Sequence, residues 1–407
     1  MERKQSDVAV TGLKYLDGVL PLLERLRDVG CARDRAGNRE LRMPQYVGMV
    51  LLSFFNPTLA TLRGLQQASQ LERVQRKLGG RRLSLGALSE AGRVFDPAQL
   101  EGIIGELLAQ LPGAPLDANL SELRQRLTAV DGTLLKALPQ VTQACYATRR
   151  DQGWKLHTHF DVGKRIPTRM TLTNASDRGA NRESAVLRAQ LEPDHCYLLD
   201  RGYEEFALFN AISAVGSSYV ARLRAARQFT PEDTRPLSRA AREAGVIEDA
   251  VGHLGSEKSR RAEPIDHRVR RIVVLVPWSP SRSGKPHTSS SKPASGLVEL
   301  VLVTNLCDVP AEIIAVLYRY RWTIELFFRF FKQVLGCQHL LSQHPRGIQL
   351  QAYCALIACL LIGLIAGRNP SRRTFEMICL YFQGWATEAE LLRHLEQLPK
   401  GAKIKQR

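Results

Sequence analysis

Apolar positions recur every three to four residues in Tyr15–Leu26 and Tyr46–Phe55, which predicts helices there. Pro44 suits a first helical turn, and Asn56-Pro57 reads as a stop. A further helix is expected from about Pro97 to Leu111, so residues 1–120 read as a helical region. From Leu127 the pattern becomes strand-like. Leu127-Thr-Ala-Val-Asp131 is a brief apolar strand ending on a carboxylate. Lys155–Val162 alternates, and Ile166–Thr173 follows after a Gly163-Lys-Arg turn. Ser184–Leu191 reads as a helix, and Cys196-Tyr-Leu-Leu-Asp200 as a second apolar strand ending on a carboxylate. Glu204–Ile212 is helical and Tyr219–Leu223 a strand. Three strands, helix, strand, helix, strand is the order of an α/β domain.

Residues 225–296 interrupt this order. They hold two strand-like runs, Val246–Val251 and Arg268–Val276, among Pro-, Ser- and Gly-rich connections. Leu297–Asn305 is a further strand, and one long amphipathic helix is expected from about Ala311 to Leu335. The apolar run Ala352–Gly367 falls short of the roughly 20 residues a membrane span needs, so a buried helix is expected. Residues 368–407 contain one clear helix, Glu388–Leu398, and a basic end.

Charge adds a partner class. The chain has 407 residues and a formal charge of +17. Residues 217–293 carry 15 basic and 8 acidic groups, whereas residues 121–216 carry 13 and 11. A surplus of this size makes nucleic acid the first partner to consider. Arg63–Arg82 holds six basic residues and one acid, Glu72, which suits either a DNA-binding helical domain or a plain bundle with a solvated basic face. The eight cysteines form no CxxC pair, which argues against a zinc ribbon and for free thiols in a reducing compartment. The N-terminal residues lack the apolar core of a signal peptide, so a cytoplasmic protein with no membrane partner is expected.

The chemistry gathers on the long helix. At 100° per residue, Tyr318, Arg321, Glu325 and Lys332 fall within an arc of about 60°. Tyr320, Ile324, Phe327, Phe331, Val334 and Leu335 form the apolar face. The polar row joins one carboxylate to three groups able to hold phosphate; by itself it equally suits a solvated face with an i, i+4 ion pair. If the first and fourth strands lie side by side, Asp131 and Asp200 meet at neighbouring ends. Two carboxylates that close repel unless a cation lies between them, and Mg²⁺ prefers oxygen ligands. Glu325, delivered by a helix packed on the sheet, would complete a two-metal site suited to in-line displacement at phosphorus.

The spacing Tyr-(2)-Arg-(3)-Glu-(6)-Lys, matched without a gap by Tyr318, Arg321, Glu325 and Lys332, resembles the signature of bacterial insertion-sequence transposases of the DDE superfamily, the YREK-bearing (IS-four) family. Ala129-Val-Asp131-Gly-Thr and Leu199-Asp200-Arg-Gly-Tyr203 are similar to that family's aspartate motifs. The resemblance covers roughly Leu127 to Ile365. It implies an α/β, ribonuclease-H-like mixed sheet over residues 121–224 and 306–367, and a β-rich basic insertion over 225–305. An N-terminal helical, DNA-binding domain (1–120) and a helical C-terminal tail (368–407) would flank them. It further implies that Asp131, Asp200 and Glu325 bind two Mg²⁺ ions, with Mn²⁺ a substitute. Tyr318, Arg321 and Lys332 would hold the phosphates of the transposon end. The partners would be double-stranded DNA, as terminal inverted repeats and target, and a second copy in a homodimer on paired ends. The function expected is a DNA transposase that cuts at transposon ends and joins 3′-OH ends to target DNA. The alternatives are an inactive DNA-binding relic or repressor, and a non-transposing nuclease of the same core.

Other signals are weaker. Arg201 and Tyr203, beside Asp200, are within reach of DNA. His157, His159 and Asp161 point to one strand face, but no fourth metal ligand is evident. Trp322 is expected to pack, and Trp278 is the better candidate for base stacking. No GxxxxGK[ST] run is present, so ATP use is not indicated.

Overall fold

The computed structural model describes residues 16–34, 37, 39–79, 81–111, 113, 116, 120, 123–136, 153–175, 179–257, 264–277, 296–335, 340–367 and 371–397. The Trp278 loop and the basic C-terminal end lie outside them.

The N-terminal part is built from helices α1 (Leu20–Glu24), α2 (Met43–Phe55), α3 (Leu62–Ala68), α4 (Glu72–Leu78), α5 (Leu85–Val94) and α6 (Glu101–Gln110). Pro44 opens α2 as its position suggested. Gln45 also caps the start, its side-chain oxygen accepting from the Arg42 backbone N–H at 2.9 Å. Arg63, Arg73, Arg76, Arg81 and Arg82 are exposed.

Nine strands form one mixed sheet: β1 (Arg126–Lys136), β2 (Gly153–Asp161), β3 (Ile166–Asn174), β4 (His195–Leu199), β5 (Ser218–Arg222), β6 (Phe229–Thr234), β7 (Val246–Leu254), β8 (Val269–Pro277) and β9 (Leu297–Thr304), in the order β3-β2-β1-β4-β5-β9-β8-β7-β6. β1, β4 and β5 run parallel, and every other neighbouring pair is antiparallel. The interrupting segment therefore extends the same sheet through the β5–β9 pairing. β6, absent from the sequence reading, is an exposed edge strand with an irregularity at Pro231. Pro cannot donate to a ladder and is confined to such edges, which hides the strand from its composition.

Helices α7 (Glu183–Arg188) and α8 (Phe206–Ala214) cover one face of the sheet, and α9 (Arg239–Glu243) lies against β7. α10 (Ala311–Arg319), α11 (Trp322–Leu335), α12 (Pro345–Ala366), α13 (Arg372–Phe382) and α14 (Glu388–Gln397) complete the chain. Leu187 and Phe209 share a smaller apolar core with Val130 and Leu199. The larger core unites the N-terminal helices, α10 to α14 and the other sheet face. α12 is long and apolar enough to cross a membrane by length and composition, but 83% of its most apolar window is buried in the fold. Its Tyr353 hydroxyl donates to the Met170 carbonyl at 2.9 Å, tying the helix to β3.

The long helix expected from Ala311 to Leu335 is two helices, broken at Tyr320-Arg321. The amide N–H groups of Tyr320, Arg321, Thr323 and Ile324 all bond three residues back rather than four. The Thr323 hydroxyl also donates to the Tyr320 carbonyl at 2.6 Å. Aromatic and β-branched residues crowd this stretch and favour a helix weakly, so tertiary packing decides its course.

Candidate active site

β1 and β4 lie side by side and parallel, their last couple being Ala129–Leu198. Two residues on come Asp131 and Asp200, level with each other. Asp131 does not end its strand: β1 is 11 residues long and continues against β2 alone. The strand end is real only relative to β4, which stops at Leu199. The side chains of Leu127, Ala129 and Leu135 enter the larger core, so by alternation Asp131 faces the side of α11. Its carboxylate accepts the Gly132 N–H at 2.8 Å. Burial, then the nearby Asp200 charge, push the Asp131 carboxyl up to about 7, against the pull of Arg321. Asp200 caps a tight turn over Arg201–Tyr203 and accepts the Gly202 N–H at 2.7 Å.

Arg321 at the helix break acts on Asp131, Tyr318 lies within electrostatic reach of Asp200, and Glu325 is bonded to Arg321. Tyr318 and Arg321 are 7% and 9% exposed, so this is not a solvated row. Burial opposes the Arg321 charge, but Tyr318 and Glu325 outweigh it and its pKa rises. One guanidinium nitrogen donates to Glu325 Oε1 at 2.5 Å, while its Nε is buried with no partner. Burial also raises the Tyr318 hydroxyl's pKa, with Arg321 and Arg222 pulling the other way. The predicted apolar face holds: Tyr320, Ile324, Phe327, Phe331 and Val334 are buried, and the side chain of Leu335 lies outside the description. Phe328 and Phe330 are buried too.

Two residues that the sequence reading did not single out join the site, Glu183 and Arg222, and a third, Tyr203, takes a different place from the one expected. Glu183, in the first turn of α7, comes from the opposite face of the sheet. Its Oε1 lies 2.8 Å from Lys155 Nζ on β2 and occupies the space a side chain at Gly132 would need. Its Oε2 and Asp200 Oδ1 are each 3.0 Å from where a Cβ on Gly202 would stand. Gly132 and Gly202, within the two aspartate motifs, thus leave room for a fourth carboxylate. Arg222 ends β5 beside the other two parallel strands. Burial lowers its pKa, Tyr318 and Asp200 raise it, and Arg201 and Arg321 lower it, which places it among these groups. Ligand groups collect at the carboxyl ends of parallel strands, the one signal that could have found it. Tyr203, expected within reach of DNA, is instead fully buried, and its hydroxyl has no hydrogen-bond partner. Burial raises its pKa, followed by Glu183, Asp131 and Asp200.

Other expected residues are placed differently. Lys332 is half-buried and lies two turns along α11 from Glu325, about 10 Å by helical rise. Arg201 is exposed beside Asp200. Trp322 does not pack as expected; it is 59% exposed, because the break turns it outward, and the Arg321 guanidinium lies 5.8 Å from its ring. His157 and His159 are buried and engaged elsewhere, His157 with Thr173 at 2.8 Å and His159 edge-on to Tyr197. Among the described residues no three of His, Cys, Asp and Glu converge on one point as placed, since Glu325 turns to Arg321 and Glu183 to Lys155.

Residues 122–361 match the family profile of the transposase DDE domain, and this span contains every site residue named above. A Sinorhizobium fredii protein described as transposase y4zB is 27% identical over 249 residues, covering 61% of this chain and 63% of that protein. A Geobacillus stearothermophilus protein described as a transposase for insertion sequence element IS5377 is 38% identical over 84 residues, covering 21% of this chain and 22% of its own length. The chain thus spans less than two thirds of these relatives. Among solved structures, a cryo-EM piggyBac transposase synaptic complex with hairpin DNA aligns at 11% identity and a TM-score of 0.39, over 98% of this chain and 87% of that one, a likeness too loose to assign a fold. The family profile covers more than half the sequence: the chain belongs to the transposase DDE domain family.

Proposed function

We propose that this chain is a DNA transposase of the YREK-bearing group, with a ribonuclease-H-like core formed by β1–β5 and their helices and with β6–β9 as its insertion. One observation supports it above the others: Asp131 and Asp200 stand level on paired parallel strands, and Arg321, which acts on Asp131, also holds Glu325. The donors are carboxylate oxygens, and the mutual repulsion that raises Asp131 is what a hard cation relieves. Asp131, Asp200 and Glu325 would hold Mg²⁺, which when bound supplies Lewis acidity toward the scissile phosphodiester and its attacking and leaving oxygens. Glu325 must first turn from Arg321, which frees that guanidinium for a phosphate. Arg222 and Arg201 flank Asp200 and counter backbone charge from the far side, and Lys332 does so two turns along α11. The Tyr318 hydroxyl, raised by burial, stays protonated and donates to a phosphate oxygen. The exposed arginines from Arg63 to Arg82 and the basic insertion support a grip on the rest of the DNA.

The presence of all three carboxylates, two on paired strands and the third bonded to the arginine that acts on Asp131, favours an enzyme over a binding-only relic. Asp131→Ala, Asp200→Ala and Glu325→Ala are each expected to abolish Mg²⁺-dependent cleavage of terminal-repeat DNA while sparing its binding. Normal cleavage by any one would overturn the assignment. Strand-transfer products with a target plasmid separate a transposase from a nuclease of the same core.

A further inference from the structure

We infer that Glu183 is a fourth carboxylate of the cation site, held by Lys155 until the cation draws it over. The inference rests on the reading of Asp131, Asp200 and Glu325 as cation ligands.

Both oxygens of Glu183 are committed to the site. Oε1 meets Lys155 at 2.8 Å and lies against the bare Cα of Gly132, the residue after Asp131. Oε2 shares the space over Gly202 with Asp200 Oδ1. A Cβ at Gly132 would clash with Oε1 and stand 2.9 Å from Lys155 Cε, and one at Gly202 would press on Oε2 and Asp200 Oδ1 at 3.0 Å. Glu183 thus fills part of both long-range gaps, at positions 132 and 202. An ordinary surface ion pair asks for no such room.

Tyr203 supplies an independent observation. Its hydroxyl is fully buried, has no hydrogen-bond partner, and is acted on by Glu183, Asp131 and Asp200 together. An orphaned buried hydroxyl is costly, so it points to a ligand atom that completes the pocket. The two glutamates are also treated alike. They lie on opposite faces of the sheet, and each bonds a basic side chain, Glu325 to Arg321 and Glu183 to Lys155. Lys155 therefore competes with the cation for Glu183, which reaches the ion directly or through one water.

Competition and plain structural pairing predict different signs. The full-length chain is titrated with Mn²⁺ alone, and free Mn²⁺ is read by electron paramagnetic resonance. Glu183→Gln is expected to weaken Mn²⁺ binding about 10-fold or more. Lys155→Gln removes the competitor and is expected to tighten binding by at least about twofold. Shifts of both variants in the same direction, or affinities within twofold of the parent, would overturn the inference. If Glu183→Gln does not fold, Lys155→Gln alone decides: tightening supports the role, and weakening or no change refutes it. Asp131→Asn separates the two readings. If it loses Mn²⁺ while Glu183→Gln keeps parental affinity, the site stands and the role of Glu183 falls. If Asp131→Asn binds like the parent, the site assignment fails and this inference with it.

Discussion

Two arginine–carboxylate pairs serve different parts of the sheet. In the insertion, Arg270 on β8 holds Asp249 on β7 with two parallel bonds of 2.7 Å, and their side chains are 3% and 6% exposed. The remaining nitrogen of that guanidinium donates to the carbonyls of Leu306, Cys307 and Val309. In the candidate site, Arg321 touches Glu325 through one nitrogen, its Nε is unpartnered, and the Glu325 side chain is 30% exposed. The first pair is saturated and sealed. The second is buried on one side only and leaves a donor and a carboxylate available. Saturation separates a pair that holds the fold from one that can exchange partners.

Three substitutions test that contrast, in falling order of cost to stability. Arg270→Met strands a buried Asp249 and removes three carbonyl contacts; a loss of about 3–5 kcal/mol in denaturant unfolding is expected. A loss under about 1 kcal/mol would show the pair to be no more than a surface bridge. Gly132→Ala drives a methyl group into Glu183 and the Lys155 stem, at an expected cost of about 1–3 kcal/mol. Adding Glu183→Ala should recover most of that loss, and a double variant as unstable as the single one would place the strain elsewhere. Arg321→Gln should cost about 1–2 kcal/mol, less than Arg270→Met, because the buried guanidinium makes one bond to a partner that stays partly hydrated. Cleavage of terminal-repeat DNA should nevertheless fall about 10²-fold. A large stability loss with intact cleavage would reverse the contrast.

The sequence shows much of this through local pattern. Apolar runs mark β1 and β4 of the parallel centre, alternation marks β2 beside them, and the carboxylates of Asp131 and Asp200 are visible where the apolar runs stop. Tyr318, Arg321, Glu325 and Lys332 are found by spacing alone, as is the apolar face of α11. What periodicity does not encode is long-range accommodation. Glu183 meets Gly132 and Gly202 across tens of residues, and neither glycine announces which side chain fills its space. Arg222 looks like any strand-ending arginine until β5 is set beside β4. The break at Tyr320-Arg321 had a local clue in its aromatic and β-branched residues, but a fixed 100° rotation carries a helix straight through it.

That break also fixes what the position of Arg321 is measured from. Arg270 grips the backbone of residues 306–309, the loop leading into α10, and α10 packs on β5 and β7. Two residues later the chain enters α11, which lies over β1. Arg321 therefore sits at a joint between two supports, held from β5 and the insertion strand β7 through α10 and from β1, the strand of Asp131, through α11.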